Sequence, residues 1–173
     1  MSNKNSILII DDDDAVRDSI ALYLDEVGYQ VYQASDGEQG LDLQQELLPD
    51  MVLCDLRMPK KDGISLLREL NEASPDTPII VISGAGEISD VVDALRFGAN
   101  DYFIKPIKDI DALEKSISRC LEQVKLRKEN IAYREKLEQT NRQLETHLRI
   151  LEQDQQAGRH VQMRLLPPSP TTL

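Results

Sequence analysis

At 173 residues the chain is long enough for one domain of ordinary size plus an appendage. Its 20 Lys+Arg against 31 Asp+Glu give a net charge of −11, concentrated in residues 1–106, which carry −13, while residues 107–173 carry +2. So acidic a globular part argues against direct nucleic-acid binding, which runs on Lys and Arg neutralising phosphates, and suits a cation site or a basic protein partner. Two cysteines, Cys54 and Cys120, make neither a disulfide framework nor a metal motif and read as inert buried thiols. No apolar stretch approaches the ~20 residues that span a bilayer. The N-terminal apolar run, Ile7 to Ile10, is too short for a signal peptide. The expectation is a soluble, cytoplasmic protein without membrane contact.

Residues 1–106 alternate strand and helix patterns. The strand runs are continuously apolar: Ile7 to Ile10, Met51 to Cys54, Ile79 to Ile82 and Tyr102 to Ile104. That fits strands covered by helices on both faces. A first helix spans about Ala15 to Val27, with Val16, Ile20, Leu22, Tyr23, Leu24 and Val27 toward the core and Gly28 as its stop. Gln30 to Ala34 reads as a strand. Ser35-Asp36-Gly37-Glu38 has the form of a capping box, opening a helix through Leu48 that Pro49 ends. Asp62-Gly63 opens a third helix, and a fourth runs from Ile88 to Phe97 and stops at Gly98. Five βα units in ~120 residues predict a doubly wound parallel sheet.

From Asp109 to about Arg164 there is no proline, and Gly158 is the only glycine. Ile110, Leu113, Ile117, Leu121 and Val124 recur at helical spacing and read as the last helix of the domain. Leu137, Leu144 and Leu151 are seven apart, with Leu148 between them. That stripe is too narrow for a globular core and fits a coiled-coil seam. Ile131 to Leu137 is six residues rather than seven, which marks a register break or a bend. At ~1.5 Å per residue a helix of this length would extend ~70 Å.

The ends of the four apolar strands carry one chemical kit. The first runs into Asp11-Asp12-Asp13-Asp14, the second into Asp55, the third into Ser83 and the last into Lys105-Pro106. In an open parallel sheet these carboxyl ends lie along one edge, where ligands bind. Asp13 and Asp14 are explained by a helix N-terminus, where acids favour the dipole. Asp11 and Asp12 sit at the strand end itself. Crowded carboxylates repel unless a cation neutralises them, so with Asp55 they suggest a hard oxygen-ligand site. A carboxylate can also act as a nucleophile toward phosphorus. Lys105 would supply a fixed cation for developing negative charge, and the Ser83 hydroxyl a donor to a phosphoryl oxygen. Each residue alone has a plainer reading: a surface lysine, a turn serine, a half-buried Tyr102.

Taken together, Asp11-Asp12, Asp55 to Pro59, Asp62-Gly63, Ser83-Gly84, Gly98-Ala99-Asn100-Asp101-Tyr102 and Lys105-Pro106 resemble the receiver domain of two-component response regulators over residues ~5–125. The resemblance implies a flavodoxin-like (CheY-like) α/β fold, a five-stranded parallel sheet of order 2-1-3-4-5. It also implies a cis Lys105–Pro106 bond. Asp55 becomes the phosphoacceptor, and Mg2+ is held by Asp11, Asp12, Asp55 and the backbone carbonyl of Arg57. Ser83 and Lys105 contact the phosphoryl group, and Ser83 and Tyr102 form the switch. The donor would be a histidine kinase or phosphotransfer protein.

The segment Ala157 to Pro170 is similar to the lead-in of a PP2C-like (SpoIIE/RsbU-type) serine/threonine phosphatase domain, whose catalytic part is absent from this sequence. The chain thus resembles the regulatory half of the RssB-type regulators of the general-stress sigma factor. The expected organisation is a receiver at 1–125, a coiled-coil signalling helix at 126–158 that makes a homodimer, and a linker at 159–173 toward the effector. His160 reads as a surface helix residue. A rival is a stand-alone adaptor binding a sigma or anti-sigma factor. A phosphatase of the haloacid-dehalogenase kind would need a second aspartate two residues after Asp55, where Arg57 stands. A DNA-binding output is disfavoured, because no helix-turn-helix follows and the tail is only weakly basic.

Overall fold

The computed structural model describes residues 4–84 and 88–165. In chain order the elements are β1 (Ser6–Ile10), α1 (Asp14–Val27), β2 (Gln30–Ala34), α2 (Gly37–Leu47), β3 (Met51–Cys54), β4 (Arg57–Met58), β5 (Lys61–Asp62), α3 (Gly63–Ala73), β6 (Ile79–Ser83), α4 (Ile88–Arg96), β7 (Asp101–Ile104) and α5 (Ile110–Leu165). They divide into two compact units, residues 1–126 and 127–173.

In the first unit one parallel sheet has the order β2-β1-β3-β6-β7. With β4 and β5 set aside this is the expected 2-1-3-4-5, the flavodoxin-like arrangement. Side chains alternate across each strand, so the continuous apolar runs fill two cores. Leu8, Ile10, Val52, Cys54, Ile79 and Val81 pack on one face with Leu66, Leu67 and Leu70 of α3. Ile7, Ile9, Met51, Leu53, Ile80 and Ile82 pack on the other with Ile20 and Leu24 of α1 and Leu113 and Ile117 of α5. Burial on both faces explains why none of these strands shows polar alternation.

Side-chain caps define the helix starts. Asp13 accepts from the Ala15 and Val16 N–H groups, and Asp62 accepts from Ser65, contacts each worth about 1 kcal/mol. Asp14 pairs with Arg17 at 2.6 Å. The dipole reading of Asp13 and Asp14 therefore holds. Gly28 and Gly98 adopt φ 115°, the left-handed conformation that ends a helix. The capping box at α2 is shifted by one residue. Asp36, not Ser35, is the cap, and Gln39, not Glu38, reaches back, its Oε1 accepting from the Ser35 N–H at 2.8 Å.

Two residues of the expected α1 core face outward: Leu22 is 64% and Val27 46% exposed. The buried stripe is Ile20, Ala21 and Leu24, so small Ala21 takes a place that a hydrophobicity count gives to larger neighbours. Cys54 and Cys120 are both free and buried, and burial pushes both thiols up. The Lys105–Pro106 bond is cis. No helix of the described residues is long and apolar enough to cross a membrane.

Two tyrosines tie α1 and the start of β2 to α5. The Tyr23 hydroxyl donates to Asp111 at 3.1 Å and the Tyr29 hydroxyl to Glu114 at 3.2 Å. Burial, then the Glu114 carboxylate, pushes Tyr29 up to about 12 from 10.0. The folded state therefore holds the phenol proton more tightly than the unfolded chain. The stabilisation is complete below pH 10.0 and is lost as pH rises from there toward about 12. Denaturant titrations of the parent and Tyr29→Phe should show the parent's advantage shrinking across this window. An advantage that stays constant through it would contradict the contact.

In the second unit the described residues continue α5 to Leu165, which makes the helix 56 residues long from Ile110. It thus includes residues 159–165, the first part of the segment expected as a linker. The prolines and threonines of that segment lie outside the described residues. His160 is exposed on the helix surface, as expected.

Candidate functional site

Four strand-end residues and one exposed carboxylate meet at the C-terminal edge of the sheet. Asp11 follows β1, Asp55 follows β3, Ser83 closes β6 and Lys105 follows β7. Backbone bonds hold them there. Asp11 N–H donates to Ala34 at 3.1 Å, Asp55 N–H to Ile10 at 2.9 Å, and Lys105 N–H to Ser83 at 2.8 Å. Ladder bonding thus extends past the ends of the strands and fixes the spacing of the three charged groups.

The Asp55 carboxylate is buried, at 4% exposure, and among the described residues its hydrogen-bond partners are all donors. Its Oδ1 accepts from the Ser83 hydroxyl at 2.9 Å and from the Arg57 N–H at 2.8 Å. Its Oδ2 meets Lys105 Nζ at 2.8 Å. The same Nζ lies 2.7 Å from Asp11 Oδ2, so one ammonium bridges two buried carboxylates. Asp11 Oδ1 in turn accepts from the Asp13 N–H at 2.9 Å.

Burial pushes the Asp11 carboxyl above its ordinary 3.8, against the pull of Lys105 and the Asp13 N–H. Burial alone would lower Lys105, but its hydrogen bonds and attraction to Asp11 and Asp55 outweigh that and hold it above 10.5. The lysine is therefore charged at neutral pH and offsets part of a doubly negative pocket.

Asp12 points to solvent beside this pair. Among the described residues, Asp11, Asp12 and Asp55 are a set whose carboxylate oxygens lie within 4.8 Å of one another. Three hard oxygens with one open, solvated side fit a small divalent cation that keeps several of its waters.

Asp62-Gly63 is explained by steric contact. A Cβ on Gly63 would collide with the Leu56 backbone, so only glycine lets α3 start against the loop that follows Asp55. Tyr102 is half-buried and shares a cavity of about 180 Å3 with Ser83, Asp62 and Asp90. Ala85 and Gly86, read from the sequence as part of the Ser83 loop, lie outside the described residues.

Some contacts had no sequence signal. The Arg57 side chain meets Asp90 of α4 at 3.1 Å. Ser116 and Arg119 of α5 both bond Asp101 Oδ2, Arg119 at 2.9 Å. The antiparallel pair β4–β5, with Arg57 opposite Asp62 and Met58 opposite Lys61, shapes the loop beyond Asp55. At two residues each these strands are too short to leave a pattern.

The response regulator receiver domain family model matches residues 7–118. The Regulatory protein AtoC of Escherichia coli (strain K12) is 39% identical over 129 residues, covering 75% of this chain and 28% of that protein. The Regulator of RpoS of the same organism is 33% identical over 115 residues, covering 66% of this chain and 34% of that protein. The chain spans about half or less of the length of the curated relatives it matches. A crystal structure of a CheY-like response regulator receiver domain protein from Methanospirillum hungatei JF-1 is similar at a TM-score of 0.68 and 30% identity, covering 72% of this chain and 99% of that one. Sheet order, family match and structural likeness over 72% of the chain agree, and the chain belongs to the response regulator receiver domain family of two-component signalling.

Proposed function

We propose that Asp55 accepts a phosphoryl group from the phosphohistidine of a histidine kinase or phosphotransfer protein. One observation carries this reading. Asp55 is the carboxylate on which a lysine, a hydroxyl and a backbone N–H converge. An Asp55 oxygen attacks phosphorus, the bond from phosphorus to the histidine nitrogen breaks, and the imidazole leaves with that electron pair. Lys105 and the Ser83 hydroxyl then turn from the carboxylate to the phosphoryl oxygens, where negative charge has developed. Asp11, Asp12, Asp55 and the Arg57 backbone carbonyl would hold Mg2+, which when bound offsets the charge of the incoming phosphate. Because Ser83 and Tyr102 line one cavity, reorientation of the serine gives the ring a reason to move. A few kcal/mol of differential stability suffices for such a population shift.

The test is phosphorylation by a small donor such as acetyl phosphate, with and without Mg2+. Label that appears only with Mg2+ and maps to Asp55 is the expected result. Label on another residue would overturn the assignment. In the same series Asp12→Ala should weaken Mg2+ binding by about tenfold or more, since one of three carboxylates is lost. An unchanged titration would remove Asp12 from the site.

For the output, we infer that α5 relays the switch to a second copy of this chain and to an effector beyond it. The Ala157 to Pro170 lead-in supports a PP2C-like serine/threonine phosphatase, and likeness to the Regulator of RpoS supports a link to sigma-factor control. The same likeness favours a second reading, a stand-alone adaptor. Phosphorylation-dependent capture of a sigma or anti-sigma factor by the 173-residue chain alone would favour the adaptor. Capture that needs a downstream domain would favour the phosphatase. A cytoplasmic location goes with either.

A further inference from the structure

The second unit carries a row of leucines with nothing against them among the described residues. Leu137, Leu144, Leu148, Leu151 and Leu165 are 49% to 76% exposed. From Leu137 to Leu165, core positions follow one another at alternating intervals of four and three, the spacing of a coiled-coil seam. One set of alternate positions holds Leu137, Leu144, Leu151, Gly158 and Leu165. The other holds Asn141, Leu148, Gln155 and Gln162. The seam is thus apolar on one side and mostly polar on the other, over ~42 Å of helix.

The charges beside the seam fit a second copy of this chain, and Asn141 sets the direction. On one flank lie Glu138, Glu145, Glu152 and Arg159; on the other lie Thr140, His147 and Asp154. In a parallel pair each flank residue faces the residue five further on in the other helix. That sets Asp154 against Arg159, His147 against Glu152 and Thr140 against Glu145. The stretch is therefore complementary to itself. An antiparallel pair along the full stretch also sets Glu138 against Arg159, but it opposes Glu145 to Glu152 and separates Asn141 from its own copy. Asn141 strengthens the choice, because a single asparagine on this side of a seam pairs with its own copy and fixes both register and a two-stranded state.

We propose that residues 137–165 pair with a second copy of this chain as a parallel, two-stranded coiled coil in this register, with Asp154 facing Arg159 of the second copy. This rests on the homodimer reading above and adds the register and the charge pair that fixes it. Leu144→Cys, on the seam, should oxidise to a covalent dimer in the full chain, whereas Ile150→Cys, apolar but off the seam, should not. The native cysteines are 1% and 3% exposed and stay silent.

Asp154→Arg and Arg159→Asp chains should each dimerise more weakly than the parent, by about tenfold for two reversed pairs. Mixed together they should prefer each other, because both pairs are restored in the heterodimer alone. Light scattering on the parent chain separates the failures. A parent that is monomeric at tens of micromolar overturns both the homodimer and this register. A dimeric parent with no heterodimer preference, or with Ile150→Cys cross-linking as readily as Leu144→Cys, overturns the register and leaves the homodimer standing.

Discussion

Asp55→Asn is expected to reduce phosphoryl labelling to background while the chain keeps its fold. The amide is nearly isosteric with the carboxylate, so the β3 end and its 2.9 Å bond to Ile10 should be undisturbed. Its oxygen can still accept from Ser83 or the Arg57 N–H. The change is chemical: a neutral amide is a poor nucleophile toward phosphorus and removes one of two negative charges facing Lys105. Asp11 cannot take over, because its carboxylate makes no contact with Ser83 or Arg57 and bonds instead to Lys105 and the Asp13 N–H. Mass spectrometry after treatment with acetyl phosphate and Mg2+ measures this directly. Label at parental stoichiometry in the variant would sink the phosphoacceptor assignment.

Much of this site was readable because strand ends are readable. A continuous run such as Ile7 to Ile10 ends where burial ends, and in a parallel sheet that point lies on the functional edge. The ends of the apolar runs therefore place the motif residues on that edge. What the pattern could not give was which oxygen meets which donor. Asp11 and Asp12 are neighbours of identical chemistry, yet one is 2% exposed and bridged to Lys105 while the other faces water. The direction a strand leaves the sheet decides that, and composition carries no record of it. The exposure of Leu22 has the same origin. Helical periodicity is a statement about angles, and two residues past buried Ile20 the side chain has turned to solvent whatever its hydropathy. Arg57 to Asp90 joins residues 33 positions apart that share no local signature.

Lys105→Met is the substitution expected to cost most stability. Asp11 and Asp55 are 2% and 4% exposed, and the Lys105 ammonium, 17% exposed, is the cation that touches both. Removing it leaves two buried carboxylates facing one another with only N–H and hydroxyl donors. Breaking a buried charge pair in this way costs about 3 kcal/mol, a large fraction of the ~5–15 kcal/mol of a typical domain. Two conditions should restore part of that loss, each for its own reason. On the proposed metal site, Mg2+ would bind the folded carboxylate set and not the unfolded chain, and so stabilise by mass action. Acid acts through Asp11, whose carboxyl is already held above 3.8 by burial and loses the two opposing effects of Lys105 in the variant. A group held above its unfolded value adds stability as pH falls through its folded value, so the deficit should be smaller at an acidic pH nearer 3.8 than at neutral pH. Urea titrations of the two chains at both pH values, with and without Mg2+, test all three statements. Equal stability of parent and variant at neutral pH without Mg2+ would show that the lysine does not neutralise the pocket.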